Sequence, residues 1–404
     1  MKNKLLTLML GAALLMGCTD ITLPGKDEND YTGNESDELT LVDPDATPET
    51  KALYSNLWAI KEQGFMFGHH DDLWCGRKWI GTEGRSDTKE VCGDYPAVLG
   101  VDFAELIDDR YNADPQTNGW KLRSVKQAYD MGMVTIVCLH LDNPLRFNVP
   151  GAEHYKVGGA WDNTSDEVVK EILKDGSAVQ TTYKVWMDRL ADIIKNLKGS
   201  DGKTIPIILR PYHEHNHTWS WWGSKCTTEQ EYIDLWRWTV TYLRDTKGVH
   251  NVIYAISPQI DSQQSESEYL RRWPGDKFVD FLGMDCYQGI NNLVFTSNLK
   301  TLSRISQNKK KPCGVTETGV EGEPKNSKYW TENISAPMTG RKVSLLVTWR
   351  NKYVGANDSD THFYSVWDGC KTAADFVKMY KEPNTIFCED LPDMYTMAKG
   401  ITVK

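Results

Sequence analysis

The chain has 404 residues, 40% of them hydrophobic and 25% charged, a globular composition that excludes a disordered, collagenous or coiled-coil protein. Its formal net charge of -10 offers no basic face to a phosphate backbone and speaks against a nucleic-acid partner. Fifteen Trp and 18 Tyr stand against 10 Phe, and rings with a polar edge suit stacking on sugars as well as core packing.

Lys2 and Lys4 precede an apolar run from Leu5 to Met16. That run is too short for a bilayer span, which takes roughly 20 residues. It ends in Leu15-Met16-Gly17-Cys18, which resembles a bacterial lipobox, so residues 1–17 are expected to be a lipoprotein signal peptide and Cys18 the lipidated residue. An ordinary signal peptide with an incidental cysteine is the alternative. Residues 18–48 mix acids with Pro, Gly, Asn and Ser and are expected to be a flexible acidic tether. With ten acidic residues against three lysines, residues 1–50 carry most of the net charge. The rest, residues 49–404, is expected to fold as one domain. Acyl chains would tie it to the outer membrane of a Gram-negative cell, on its periplasmic or cell-surface face. Export permits disulfides, and Cys75 with Cys92 is the pair nearest in sequence. Cys138, Cys286 and Cys313 sit inside apolar runs and read as small buried hydrophobes.

Eight short apolar runs follow: 64–67, 96–101, 134–139, 206–209, 252–256, 279–284, 312–315 and 343–347. Near-continuous apolarity, rather than alternation, predicts parallel strands covered on both faces. Between them lie helical patterns. Ala178 to Leu197 spaces Tyr183, Trp186, Leu190, Ile193 and Ile194 on one face, and Thr228 with Glu231 predicts a capping box opening the next helix. A last helix is expected from Ala373, with Phe376, Val377 and Tyr380 facing in. Eightfold strand–helix alternation predicts an α/β protein, a single (β/α)8 TIM barrel. An open doubly wound sheet is the alternative, but no G-x-G-x-x-G or phosphate-binding loop follows any strand.

Barrel enzymes carry their chemistry at the C-terminal ends of the strands. Those ends read His69-His70, Asp102, His140, His213-Glu214, Ser257, Asp285-Cys286-Tyr287, Glu317 and Trp349. Glu214 follows the fourth strand and Glu317 the seventh, which face each other across the mouth of an eight-membered ring. Two carboxyls there can approach to about 5–5.5 Å, as a retaining glycosidase requires. Their pKa values must be pushed apart, which the neighbouring His213, Arg210 and Tyr287 could do.

These residues also fit a family pattern. Arg210-Pro211-Tyr212-His213-Glu214, continuing through Asn216 to Trp219-Ser220-Trp221-Trp222-Gly223, resembles the acid/base signature of family 26 glycoside hydrolases. Arg272-Trp273-Pro274-Gly275-Asp276 through Asp285 and Tyr287 is similar to that family's sixth-strand segment. Thr316-Glu317-Thr318-Gly319 resembles its nucleophile strand, and Thr348-Trp349-Arg350-Asn351 its last. Phe67-Gly68-His69 and His140-Leu141-Asp142-Asn143-Pro144 agree as well. The resemblance implies a retaining endo-1,4-β-mannosidase acting on β-mannan, glucomannan or galactomannan. In it Glu214 would be the acid/base, Glu317 the nucleophile and Tyr287 the group that holds it. His213 would assist at the sugar's 2-hydroxyl, and Trp349 would floor the cleavage subsite. Asp285 would bind substrate with them, and His140, Trp219 and Trp222 would line adjacent subsites. Trp222 is equally readable as packing, and Arg210 as an ion-pair partner rather than a ligand contact. His217-Thr218 departs from the family, which more often has Gly after the Asn. No cofactor or metal is implied, and a monomer is expected.

Three alternatives remain at this level. An exo-acting mannobiose-releasing enzyme of the same family would need a cleft walled at one end, for which the 71–94 and 151–175 insertions are candidates. His213, His215 and His217 alternate and could form a metal trio. A non-catalytic glycan-binding lipoprotein would use the same aromatics, though it has no need of the two facing glutamates.

Overall fold

The computed structural model describes residues 37–404 apart from 148–156, 288–291 and 358. The signal peptide and Cys18 therefore lie outside the described residues, as does part of the 151–175 insertion. Eight parallel strands form the centre: β1 (Phe65–His70), β2 (Val98–Asp102), β3 (Val134–Cys138), β4 (Ile207–Arg210), β5 (Val252–Ile256), β6 (Phe281–Cys286), β7 (Cys313–Thr318) and β8 (Leu345–Thr348). Each pairs with the next, and β8 returns to β1 through Met66 opposite Leu345 and His69 opposite Thr348. The eight strands thus close into a barrel, the (β/α)8 architecture the apolar runs predict, and the short strand Thr385–Ile386 joins the start of β1 from outside the ring. Several strands begin about two residues later than their apolar runs and continue through the ionisable residues. Asp285 and Glu317 accordingly stand inside β6 and β7 rather than after them.

Alternate strand residues divide between two environments. Met66, Val98, Val134, Ile136, Ile208, Ile253, Phe281, Leu345 and Val347 share one cluster with Leu53, Tyr54 and Leu57 of the helix Pro48–Ile60, which plugs the end where the strands begin. Their neighbours Leu99, Val137, Leu209 and Tyr254, and on the other side Phe67, Leu282, Val315 and Leu346, pack outward against the surrounding helices. The helix Ala178–Asn196 buries Tyr183, Trp186, Leu190 and Ile194. Thr228 caps the helix Glu229–Thr241, and both halves of the predicted capping box are formed. In the helix Ala373–Tyr380, Phe376 and Met379 are buried, while Val377 and Tyr380 are half-buried.

Two expectations need correction. Among the described residues the fold already includes Asp37, ahead of residue 49. Asp37–Leu39 pairs in parallel with Ile401–Val403, Leu39, Leu41 and Val42 are buried, and the Val42 amide donates to Asp280 Oδ1 at 2.7 Å. Isolated apolar residues among acids carry no periodic signal, and the strand exists only because the C-terminus supplies its partner. The eight cysteines from Cys75 to Cys388 are all free thiols, so Cys75 and Cys92 are not bridged. Cys138, Cys286 and Cys313 are buried as expected.

Candidate active site

The C-terminal ends of the strands open on one mouth. His70, at the end of β1, packs its ring on Trp349, just after β8, with centroids 4.6 Å apart. Gly100 of β2 allows this, because a Cβ there would meet the His70 ring at 2.5 Å. After β4 the chain turns sharply, and Tyr212 (φ 52°) and Glu214 (φ 55°) both take left-handed backbone conformations. That geometry is unfavourable for side chains with a Cβ and persists only where the surroundings enforce it. Here the Glu214 amide donates to the Ser257 carbonyl at 2.8 Å, the Trp222 indole to the His213 carbonyl at 2.8 Å, and the Tyr212 hydroxyl meets Thr239 Oγ1 at 2.7 Å.

The turn brings Glu214 to Asp285 and Glu317. One carboxylate oxygen of each lies within 4.8 Å of the other two, and all three side chains are buried. Arg210 neutralises the group. Its Nη1 donates to Asp285 Oδ2 at 2.7 Å and to Ser257 Oγ at 2.9 Å, and its Nη2 to Glu317 Oε1. The Tyr287 hydroxyl donates to the other Glu317 oxygen at 2.7 Å, and Thr316 Oγ1 to Asp285 Oδ1 at 2.7 Å. Glu317 is therefore fixed through both oxygens, and Arg210 is an ion-pair partner of the carboxylates. Among the described residues, the side chain of Glu214 accepts only the Trp219 indole N–H, at 2.6 Å. Burial, followed by the negative charges of Asp285 and Glu317, pushes its carboxyl well above the usual range against the weaker pull of Trp219 and Arg210. Of the three residues expected to separate the two glutamates, Arg210 and Tyr287 bind Glu317, and His213 makes neither contact.

His213 is buried, and burial together with the Arg210 charge holds its imidazole well below the ordinary pKa, so it is neutral. Its Nε2 lies 3.1 Å from Nε2 of His140. Around His140 stand Trp161 (5.4 Å, stacked), Trp219 (5.8 Å, stacked) and Trp349 (5.6 Å, tilted). Trp161 is 45% exposed. On the other side of Glu214 the cleft is lined by Gln259, Tyr287, Val320, Glu321 and Tyr364. Sequence reasoning missed Trp161 and Tyr364, because neither follows an apolar strand; the excess of Trp and Tyr was the only signal.

Trp222 does not line the mouth. It is fully buried, edge-on to Trp221 at 5.1 Å, so of the two readings packing is the one realised. A four-residue turn carrying three indoles cannot aim them all one way, and Trp219 alone of the three remains partly exposed. The histidine trio does not converge either. His213 meets His140, His215 stacks on Tyr232 at 4.2 Å, and His217 pairs with Asp261 at 3.0 Å. Two carboxyls with oxygens 4.8 Å or less apart, one raised by burial and the other held through both oxygens, have the chemistry to serve as an acid and a nucleophile for a single bond between them.

The chain matches the description "Glycosyl hydrolase family 26" over residues 42–328. A mannan endo-1,4-β-mannosidase of Bifidobacterium adolescentis is 29% identical over 409 residues, which take in 95% of this chain and 38% of that protein. The chain thus spans well under half the length of this curated relative. Among solved structures, a family 26 β-mannanase from Bacteroides ovatus is similar with a TM-score of 0.78 and 35% identity, over 87% of this chain and 98% of that one. The catalytic domain of an endo-β-1,4-mannanase from Bacillus sp. JAMB-750 gives a TM-score of 0.79 at 27% identity, over 94% and 100%.

Proposed function

The chain belongs to glycosyl hydrolase family 26, and from that premise we propose that it is a retaining endo-1,4-β-mannosidase that hydrolyses β-1,4-mannan, glucomannan or galactomannan by double displacement. The observation that carries the mechanism is the approach of the Glu214 and Glu317 carboxylates to within 4.8 Å. This is on the scale of a nucleophile attacking the anomeric carbon directly, and short of the roughly 6.5–9.5 Å that leaves room for an attacking water. Glu214, protonated above the usual carboxylate range, gives its proton to the glycosidic oxygen. Glu317, oriented by Arg210 and Tyr287, forms the covalent glycosyl-enzyme. Glu214, now ionised, then draws a proton from the water that releases the sugar. The mannan substrate rests on the names of the relatives, and the half-exposed rings of Trp161, Trp219 and Trp349 around His140 are suited to stack on pyranose faces.

The test is product analysis on mannohexaose and galactomannan for the wild type beside Glu317→Ala. Mixed short oligosaccharides that vanish in the variant are expected. Mannobiose alone would mean a chain-end enzyme of the same family, and hydrolysis surviving in the variant would overturn the assignment of the nucleophile.

We also propose that residues 1–17 are removed before a lipidated Cys18, leaving the enzyme tethered to the outer membrane. None of the described helices is long and apolar enough to cross a membrane. Labelling of the expressed protein with a radioactive fatty acid, lost in Cys18→Ser, would support the anchor; equal labelling of both would refute it.

A further inference from the structure

The relay beneath the mouth begins at Asp102. Parallel pairing of β2 with β3 sets Asp102 opposite Cys138, so that His140 stands two residues beyond. Asp102 Oδ1 accepts the Ala104 amide at 2.8 Å and the His140 amide at 3.3 Å, while Oδ2 faces His140 Nδ1 at 2.8 Å. Burial works against the charge on Asp102, but the hydrogen bond from His140, with the Lys121 charge behind, holds the carboxyl below its usual range. Cys138 Sγ lies 4.0 Å from the same Nδ1, and burial keeps it a thiol.

A carboxylate only accepts, so His140 must carry a proton on Nδ1. The other end of the ring meets His213 Nε2 at 3.1 Å, and one of these two nitrogens must donate. If His140 were doubly protonated, His213 would accept at Nε2 and carry its own proton on Nδ1. That Nδ1 is buried and has no partner among the described residues, and an orphaned buried N–H is tolerated less well than an under-used acceptor. A lone pair there is the cheaper arrangement. His140 is then neutral and accepts at Nε2, and His213 donates from Nε2.

We propose that Asp102 is a positioning residue, which acts through His140 to fix the proton of His213 on Nε2, so that the residue preceding Glu214 presents a neutral N–H donor to the sugar in the cleft. A donor at that edge can be shared with or passed to a substrate hydroxyl; a lone pair there could bind the same hydroxyl only by reversing its sense. The functional half of this proposal rests on the glycosidase reading above, while the tautomers themselves do not. Asp102→Asn separates the two. Two backbone amides point at Oδ1, so the amide oxygen stays with them and the NH2 faces His140 Nδ1. Two donors then oppose, His140 moves its proton to Nε2, and His213 is driven to the Nδ1 form.

The experiment is a two-bond 15N–1H correlation spectrum of protein labelled at its nine histidines, with His140 and His213 identified by His140→Gln and His213→Gln. The wild type is expected to show His140 protonated on Nδ1 and His213 on Nε2, and Asp102→Asn to exchange both. In the same variant kcat on mannan is expected to fall roughly 10–100-fold with little change in KM, the scale seen when the partner orienting a ring is lost. His213 protonated on Nδ1 in the wild type overturns the proposal without any variant. So does an unchanged His213 tautomer in Asp102→Asn, whatever the activity. Tautomers that exchange as expected in a protein inert towards mannan would uphold the relay and defeat the substrate assignment.

Discussion

Replacing Arg210 by Met tests whether the guanidinium is what lets several carboxylates share one dry site. Arg210 is fully buried and donates to both Asp285 and Glu317, and Met keeps much of its length and packing without the charge. Removing one partner of a buried ion pair costs about 3–5 kcal/mol, because the other is left unpaired. At roughly 2.1 cal/mol/K per residue, over the chain from Asp37 to Lys404, that lowers Tm by about 4–6 °C. The loss must also depend on pH. Burial already raises the Asp285 carboxyl to about 8 against the pull of Arg210; without that pull it rises further, so the folded variant holds its proton to higher pH than the wild type and loses stability relative to it as pH rises. The difference from wild type should therefore be larger at pH 8 than at pH 5. Urea unfolding at both pH values, with slopes compared to confirm a common unfolded state, measures it. A difference below about 1 kcal/mol, or one that is the same at both pH values, would refute the view that Arg210 balances the cluster's charge.

Asp285→Asn removes a negative charge that raises the Glu214 carboxyl, so the alkaline limb of kcat/KM should move to lower pH; a limb that stays or rises would mean that another group is the acid. Trp222→Ala should cost about 3–5 kcal/mol in unfolding free energy, as expected of a fully buried indole. Trp161→Ala, at an exposed ring, should change stability by less than about 0.5 kcal/mol and instead raise KM for mannohexaose. Leu39→Ala should cost about 2–3 kcal/mol by thermal unfolding because Leu39 packs in the barrel's lower cluster; no effect would return this segment to the tether.

The barrel was legible because its strands are covered on both faces and announce themselves as uninterrupted apolar runs, with a capping box at Thr228 marking one intervening helix. Position at a strand end then sufficed to bring Glu214 and Glu317 to one mouth, since closure of the ring leaves few places for such residues to go. The ends themselves were read short, because β6 and β7 carry their carboxylates as part of the ladder and only a partner's charge makes an acid tolerable there. Residues on irregular chain were illegible for a different reason. Trp161, Tyr364 and the indoles of 219–222 have no period to say which way they point, and the strand at Asp37 has no meaning without its partner some 360 residues on.

Asp102 shows where such reading stops. Its place at the end of β2 could be read, and so could that of His140 beyond β3. What gives the pair consequence is a 2.8 Å contact on one side of an imidazole and a 3.1 Å contact on the other, which together decide where a proton sits on a third residue. Proton position follows from the sense of each hydrogen bond in the chain, and that sense is set by acceptor-only Asp102 at one end and by the unpartnered Nδ1 of His213 at the other. Neither end is visible in residue order. A pair of facing carboxyls can therefore be found from strand ends alone, while the groups that would set its neighbours' tautomers emerge only from distances.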